Sequence, residues 1–284
     1  FKFKMEAKVE EIKQLFRDDY LIQAHKKLTE LEAELTDEEK LSLAEMSETR
    51  VIKDDLQMAN LLLEHLSDLE SWEPVAQEED IVTFSKSTQS EVIVRGEMLL
   101  HQPITPLLAL FSECDLLKNW VPILKDAKCL GQPSIFRRVI HYFFDLPWPV
   151  TNRDMVVSAV GVPIPENNST LMVIRSIDQY TNFLGINIPA PEGIRITMDY
   201  ACLNVTYLGP NESQISLIAR CNPHMALIPT VLVNYVTKHG ILYFLQSVRE
   251  QCQGYEGSLH QQSVKANPAY YEEVVKRINV DIVI

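Results

Sequence analysis

The residues whose chemistry stands out are charged side chains inside runs that otherwise read as β-strands: Arg95, Arg137, Arg138, Arg175, Arg195, Asp199 and Arg220. About half of an alternating strand faces outward, so several of these need only solvent. One that turns toward an apolar interior is costly to bury unpaired. It requires a carboxylate partner or the head group of a ligand. Alternation alone does not say which ones turn inward. Two histidines join the set, His141 beside Arg137 and Arg138, and His239 in a later helical run. Each reads either as an inward-pointing group or as a satisfied, part-exposed histidine. Cys114, Cys129, Cys202, Cys221 and Cys252 are widely spread and form no CxxC. They read as reduced core thiols rather than as a metal or disulfide set.

Specific catalytic constellations are missing. The sequence contains no GxGxxG, no P-loop, no HExxH and no GxSxG. With 9 glycines in 284 residues, a phosphate-cradling loop is not expected either. The expectation is a chain that is not an enzyme and uses no cofactor or metal. A net charge of −13 argues against nucleic acid and against standing attachment to anionic membranes. No apolar run is long enough for a membrane-spanning helix.

The elements that must position these residues are mostly strands. Ile135 to Gly161 organises the chain. Ser134 to Phe144 and Met155 to Val162 are runs of strand length, rich in β-branched and aromatic residues. The turn between them holds Pro147, Pro149, Asn152, Arg153 and Asp154. Before it come a predicted hairpin over 80–87 and 91–101, short helices over 107–114 and 115–120, and a strand over 125–130. After it come a strand over 170–177 and a long hairpin, 194–208 with 213–221. A helix then runs from Pro229 to about Gln251. It carries Leu232, Tyr235, Val236, His239 and Leu242 on one side, and Val233, Ile241, Phe244, Leu245 and Val248 over much of the other. Such a helix is covered around most of its circumference, either as an ordinary core helix or as the roof of a cavity.

Residues 5–70 contain no Gly or Pro and carry apolar stripes with charged backs. Thr36 and Glu39 have capping-box spacing. This part reads as a helical extension packed on the main domain or as a separate docking module. A tail with Tyr271, Val274, Val275 and Ile278 on one face predicts a last short helix.

The order of these elements, the turn PWPVTNRD (Pro147 to Asp154), Trp120, and Asn222-Pro223-His224 with Ile228-Pro229 and Asn234 resemble the START family of StAR-related lipid transfer domains. The resemblance covers roughly Trp72 to Gln251. It implies an α+β helix-grip fold, a curved antiparallel sheet gripping a long C-terminal helix. Residues 1–70 would be an N-terminal helical extension, 71–254 the lipid-binding domain, and 255–284 a tail with a short helix.

The resemblance further implies a tunnel under the last helix, holding one lipid. Expected lining residues are Trp120, Arg137, Val139, His141, Val156, Val160, Met198, Tyr200, Leu217, Leu232, Tyr235, Val236, His239 and Leu242. Loops 162–169 and 179–193 would gate it. Phe183, Leu184, Ile186 and Ile188 make the second loop unusually apolar, so it reads as a membrane-touching gate or as a cap on the core. Two departures leave the lipid class open. Leu117 and Val121 stand where phosphatidylcholine carriers of the family have Arg and Asp. Ala159 stands where sterol carriers have an Arg, and Ser134 to Phe144 contains no acidic residue.

The expected function is non-enzymatic uptake of one lipid and its transfer between membranes. The partners are the lipid and a transient membrane contact, with no nucleic acid, and the location is cytoplasmic. The alternative is a lipid-sensing scaffold whose residues 5–70 bind a protein partner.

Overall fold

The computed structural model describes residues 2–87, 92–121, 123–146, 151–222 and 230–282, with side chains at all of these except 2–4, 87, 92, 221, 222 and 230–238. Helices come first: α1 (Lys2–Arg17), α2 (Leu21–Glu34), α3 (Asp37–Ala44) and α4 (Ser47–Ser67). The capping box forms at the start of α3. Thr36 Oγ1 accepts from the Glu39 N–H, and the Glu39 carboxylate accepts from the Thr36 N–H at 2.9 Å. Glu45 and Met46 break the chain between α3 and α4.

The strands are β1 (Glu73–Glu78), β2 (Ile81–Ser87), β3 (Val92–Leu100), β4 (Leu124–Gly131), β5 (Arg137–Phe144), β6 (Arg153–Ile164) and β7 (Ser169–Ser176). Short pieces β8 (Asn182–Phe183), β9 (Ile186–Asn187) and β10 (Ile194–Arg195) precede the long hairpin β11 (Thr197–Gly209) and β12 (Glu212–Asn222). Between β3 and β4 lie α5 (Ile104–Ser112) and a 3₁₀ turn, Cys114–Asn119. The chain closes with α6 (Thr230–Gln253), α7 (Leu259–Ala266) and α8 (Pro268–Arg277). The main sheet runs β1-β2-β3-β12-β11-β7-β6-β5-β4 with antiparallel neighbours, and β10 lies parallel beside β6. β12 returning beside β3 joins the early hairpin to the later strands.

Register decides the faces, because residues directly opposite each other on neighbouring strands point the same way. Val139 opposes Ser158 and His141 opposes Val156. Val160 opposes Val173, Val173 opposes Cys202, and Cys202 opposes Ile218. This outer face is covered by α1 to α4. Phe16, Leu28, Ile52 and Leu62 share one core with Val139, Val156, Val160, Val173 and Ile218.

The inner face carries α5 to α8. Gly96 on β3 lets α6 settle there, since a Cβ at that position would collide with Ile241 and come within 2.7 Å of Leu245 Cδ1. A sheet between two helical layers is the helix-grip α+β arrangement expected from the sequence, with the N-terminal helices as an outer layer that shares its core.

Candidate functional site

On the inner face, Ile140, Met155, Val157 and Ala159 form an apolar cluster with Cys114 of the 3₁₀ turn and Ile196. Tyr142, Phe144, Met172, Ile174 and Met198 pack against it while only partly buried. These are strands β5, β6, β7 and β11 read at alternate positions, so their apolar tips line one trough. Trp120, Leu217 and Leu242 belong to the adjoining cluster with α5 and α6. The Trp120 ring packs on Phe244 (5.6 Å) and Phe111 (6.3 Å). Its buried indole N–H has no acceptor among the described residues. His239 on α6 is half-buried, its ring 6.2 Å from that of Tyr243. Leu232, Tyr235 and Val236 lie outside the described side chains.

The structure separates the other expected lining residues from this trough. Arg137, Val139, His141, Val156, Val160 and Tyr200 point to the outer face, against α1 to α4 or the loops beside them. The physical reason is that β5 and β6 are buried on both sides, so they show no apolar–polar alternation. A reading displaced by one residue then moves every side chain to the opposite face.

The outer face also answers where the strand charges go. Arg137 Nη2 lies 2.6 Å from Asp55 Oδ2, and Arg137 donates to Ser158 Oγ at 3.1 Å. Arg175 Nε donates to Asp55 Oδ1 at 3.0 Å, with Asp54 at 3.6 Å. Arg95 donates to the carbonyls of His65, Leu66 and Asp68 at 2.9–3.0 Å and so caps the end of α4. It also pairs with Glu97. Tyr200 Oη meets His65 Nε2 at 3.2 Å. Asp154 receives His141 Nε2 at 2.8 Å and Arg195 Nε at 3.1 Å, and Arg195 also donates to the Pro189 carbonyl. Burial would raise the Asp154 pKa, but the hydrogen bonds from Arg195 and His141 outweigh it and hold the carboxyl below its ordinary value.

These arginines hold the fold together. Sequence reasoning missed Asp55, and a signal for it exists. Asp55 interrupts the buried α4 stripe Ile52, Ala59, Leu62 at the i+3 position.

The 179–193 segment is corrected as well. It folds into the small β8–β9 hairpin through Leu184 and Gly185, both in the left-handed region. Phe183 is 2% exposed and packs in the outer-face core under the Arg175 guanidinium, 5.9 Å away. Leu184, Ile186 and Ile188 pack on the same core. Ile186 lies so close over Gly131 that a Cβ there would meet its Cδ1 at 2.5 Å. The apolar residues of this loop therefore cap the core. Two of the exposed apolar side chains lie at the end of the sheet where β4 and β6 begin. Ile123 is 48% and Ile194 42% exposed. The Ile123 carbonyl accepts from Asp145 N–H at 3.1 Å, and Ile194 lies opposite Arg153.

At the opposite end of the inner face a cavity of about 40 Å³ lies between α5, the sheet and α8. Among the described residues no cluster of His, Cys, Asp and Glu is arranged to hold a metal. No helix among them is long and apolar enough to cross a membrane.

No family model matches this sequence, and no curated protein sequence does. Solved structures do. Human STARD10 aligns with a TM-score of 0.62 at 13% identity, over 78% of this chain and 86% of that one. Human StAR-related lipid transfer protein 5 aligns with a TM-score of 0.64 at 10% identity, over 73% of this chain and 99% of that one. A STAR-related lipid transfer protein fragment from Xanthomonas axonopodis aligns at 0.52 and 14% identity, over 65% and 99%. The chain therefore has a START-like fold.

Proposed function

We propose that this protein is a non-enzymatic carrier that holds the hydrocarbon of one lipid on the inner face of its sheet, under α6, and passes it between membranes. The observation that carries the reading is the trough itself. Tyr142, Phe144, Met172, Ile174 and Met198 are apolar yet only partly buried, and they share the inner face of the sheet on a START-like scaffold. Contiguous, part-exposed apolar surface in a recess is where apolar ligands bind.

Exchange suits such a site better than storage. A buried methylene contributes about 0.8 kcal/mol relative to water, but a lipid leaving a bilayer has already gained that amount. Uptake and release are then nearly balanced, and the opening of the trough sets the rate. Ile123 and Ile194 make the membrane contact. Both lie at the end of the sheet where β4 and β6 begin, and exposed apolar side chains favour an interface. The apolar stripe of α1 to α4 is taken up by the outer face, so no observation favours the partner-docking alternative.

The test is transfer of fluorescent sterol, glycerolipid and sphingolipid between vesicles in the absence of metal and nucleotide. Transfer of at least one class is expected. Failure to bind or move any of the three would sink the reading.

A further inference from the structure

The inner face continues past the trough. Three rows of directly opposed residues step along β6, β7 and β11: Ala159–Ile174–Ala201, then Gly161–Met172–Leu203, then Pro163–Thr170–Val205. In the first row, Ala159 and Ile174 belong to the trough cluster. The second and third rows floor the 40 Å³ cavity, and Met172 touches both. Opposite this floor stand Leu107 and Phe111 of α5, and Tyr270 and Val274 of α8. Ser112 Oγ and Tyr270 Oη lie 3.2 Å apart and satisfy each other, which leaves a mainly apolar lining with little to hold a water.

α8 is fixed firmly enough to be a wall. Tyr271 Oη donates to Glu113 Oε1 at 2.5 Å. Arg277 donates to the Asp18 carbonyl at 2.6 Å and lies over the rings of Tyr20 and Phe136. Phe136, which also lines the cavity, is held from behind by its N–H donating to Asp19 Oδ2 at 2.7 Å.

We propose that this cavity is the blind end of the trough, that it receives the terminal methylenes of an acyl chain, and that α8 closes it and thereby sets the chain length the protein accepts. The inference rests on the carrier reading above. A mainly apolar space beside an apolar trough, with Met172 between them, suits hydrocarbon better than a polar group. Its small volume admits a chain end, not a whole lipid. Met172, unbranched and flexible, is the side chain that must swing for the two spaces to join. Gly161 leaves the floor open, since a Cβ there would make only ordinary contact with Phe136 Cβ at 3.5 Å.

The test loads the full chain from vesicles containing cholesterol, phospholipid and sphingomyelin, with acyl chains stepped by two carbons from lauroyl to behenoyl. Retained lipid is read by mass spectrometry. Val274→Ala should lengthen the mean retained chain by about two carbons, the hydrocarbon it removes. Gly161→Val should shorten it by a similar amount and serves as the second variant if Val274→Ala fails to fold. Opposite shifts support the proposal. Lipid-loaded variants with the parental chain distribution overturn it while leaving the carrier reading intact, and so does retention of cholesterol alone. A parental protein that retains nothing overturns both.

Discussion

Asp55 offers the sharpest test of how this fold is held. Its side chain is 1% exposed and stands between Arg137 and Arg175, themselves buried in β5 and β7. Asp55→Ala would leave two buried guanidinium groups facing an apolar helix. Breaking a buried pair by removing one partner costs about 3–5 kcal/mol, because the remaining charge is uncompensated. Arg175 keeps Asp54 at 3.6 Å, and that carboxylate is largely solvated, so the loss should fall toward the lower end. Against a total stability of about 5–15 kcal/mol this is large. For a chain of this size it corresponds to a melting temperature lowered by roughly 6–20 °C. Calorimetry checks it, together with limited proteolysis of the linker after α4, because the variant should release α1 to α4 from the sheet. The triple change Asp55→Leu, Arg137→Met, Arg175→Leu should recover most of the loss, since an apolar replacement removes the charges along with their attraction. A single variant that loses less than about 1 kcal/mol would refute the reasoning. In that case α1 to α4 are held by their apolar stripe alone.

Three further outcomes are expected. The hydrogen bonds from Arg195 and His141 lower the Asp154 pKa in the folded state, so its contribution is present above the ordinary carboxylate range, about pH 4, and is lost as pH falls through the folded value. The difference in melting temperature between the parent and Asp154→Asn should therefore shrink from about pH 7 to about pH 3, and a constant difference would contradict the assignment. The double change Ile123→Ser, Ile194→Ser should slow vesicle transfer while leaving the melting temperature within about 1 °C, because both side chains are exposed. Equal transfer rates would place the membrane contact elsewhere. Cys129 should be the first of Cys114, Cys129, Cys202 and Cys252 to react with iodoacetamide in the native protein. It is exposed, whereas burial pushes the thiols of Cys114, Cys202 and Cys252 up to about 12. Mass spectrometry of labelled peptides distinguishes them.

Much of the fold was legible. Strands and helices announced themselves by length, β-branching and turn residues, and the Thr36–Glu39 spacing marked the start of α3. The tail positions Tyr271, Val274, Val275 and Ile278 do share a buried face. The site was legible in part. Trp120, Met198, Leu217 and Leu242 lie on the inner face, while Arg137, Val139, His141, Val156, Val160 and Tyr200 lie on the outer one. The 179–193 segment showed its apolarity in sequence, but Phe183 could be assigned to core or to membrane only by seeing what covers it.

The division has a physical cause. Composition and periodicity are local, so the sequence by itself determined which segments form strands and helices and that the strand charges needed partners. Facing is relational. A strand reveals its inward side only when its other side is polar and wet, and β5 and β6 are largely apolar on both, with α1 to α4 over one face and Cys114 and Ile196 packed on the other. Only the tertiary structure could decide that Arg137 and Arg175 meet Asp55 across more than 80 residues of chain. It alone could decide that Ala159, Met172 and Met198 lie on the inner face of the sheet, and Val139, Val156 and Val160 on the outer one.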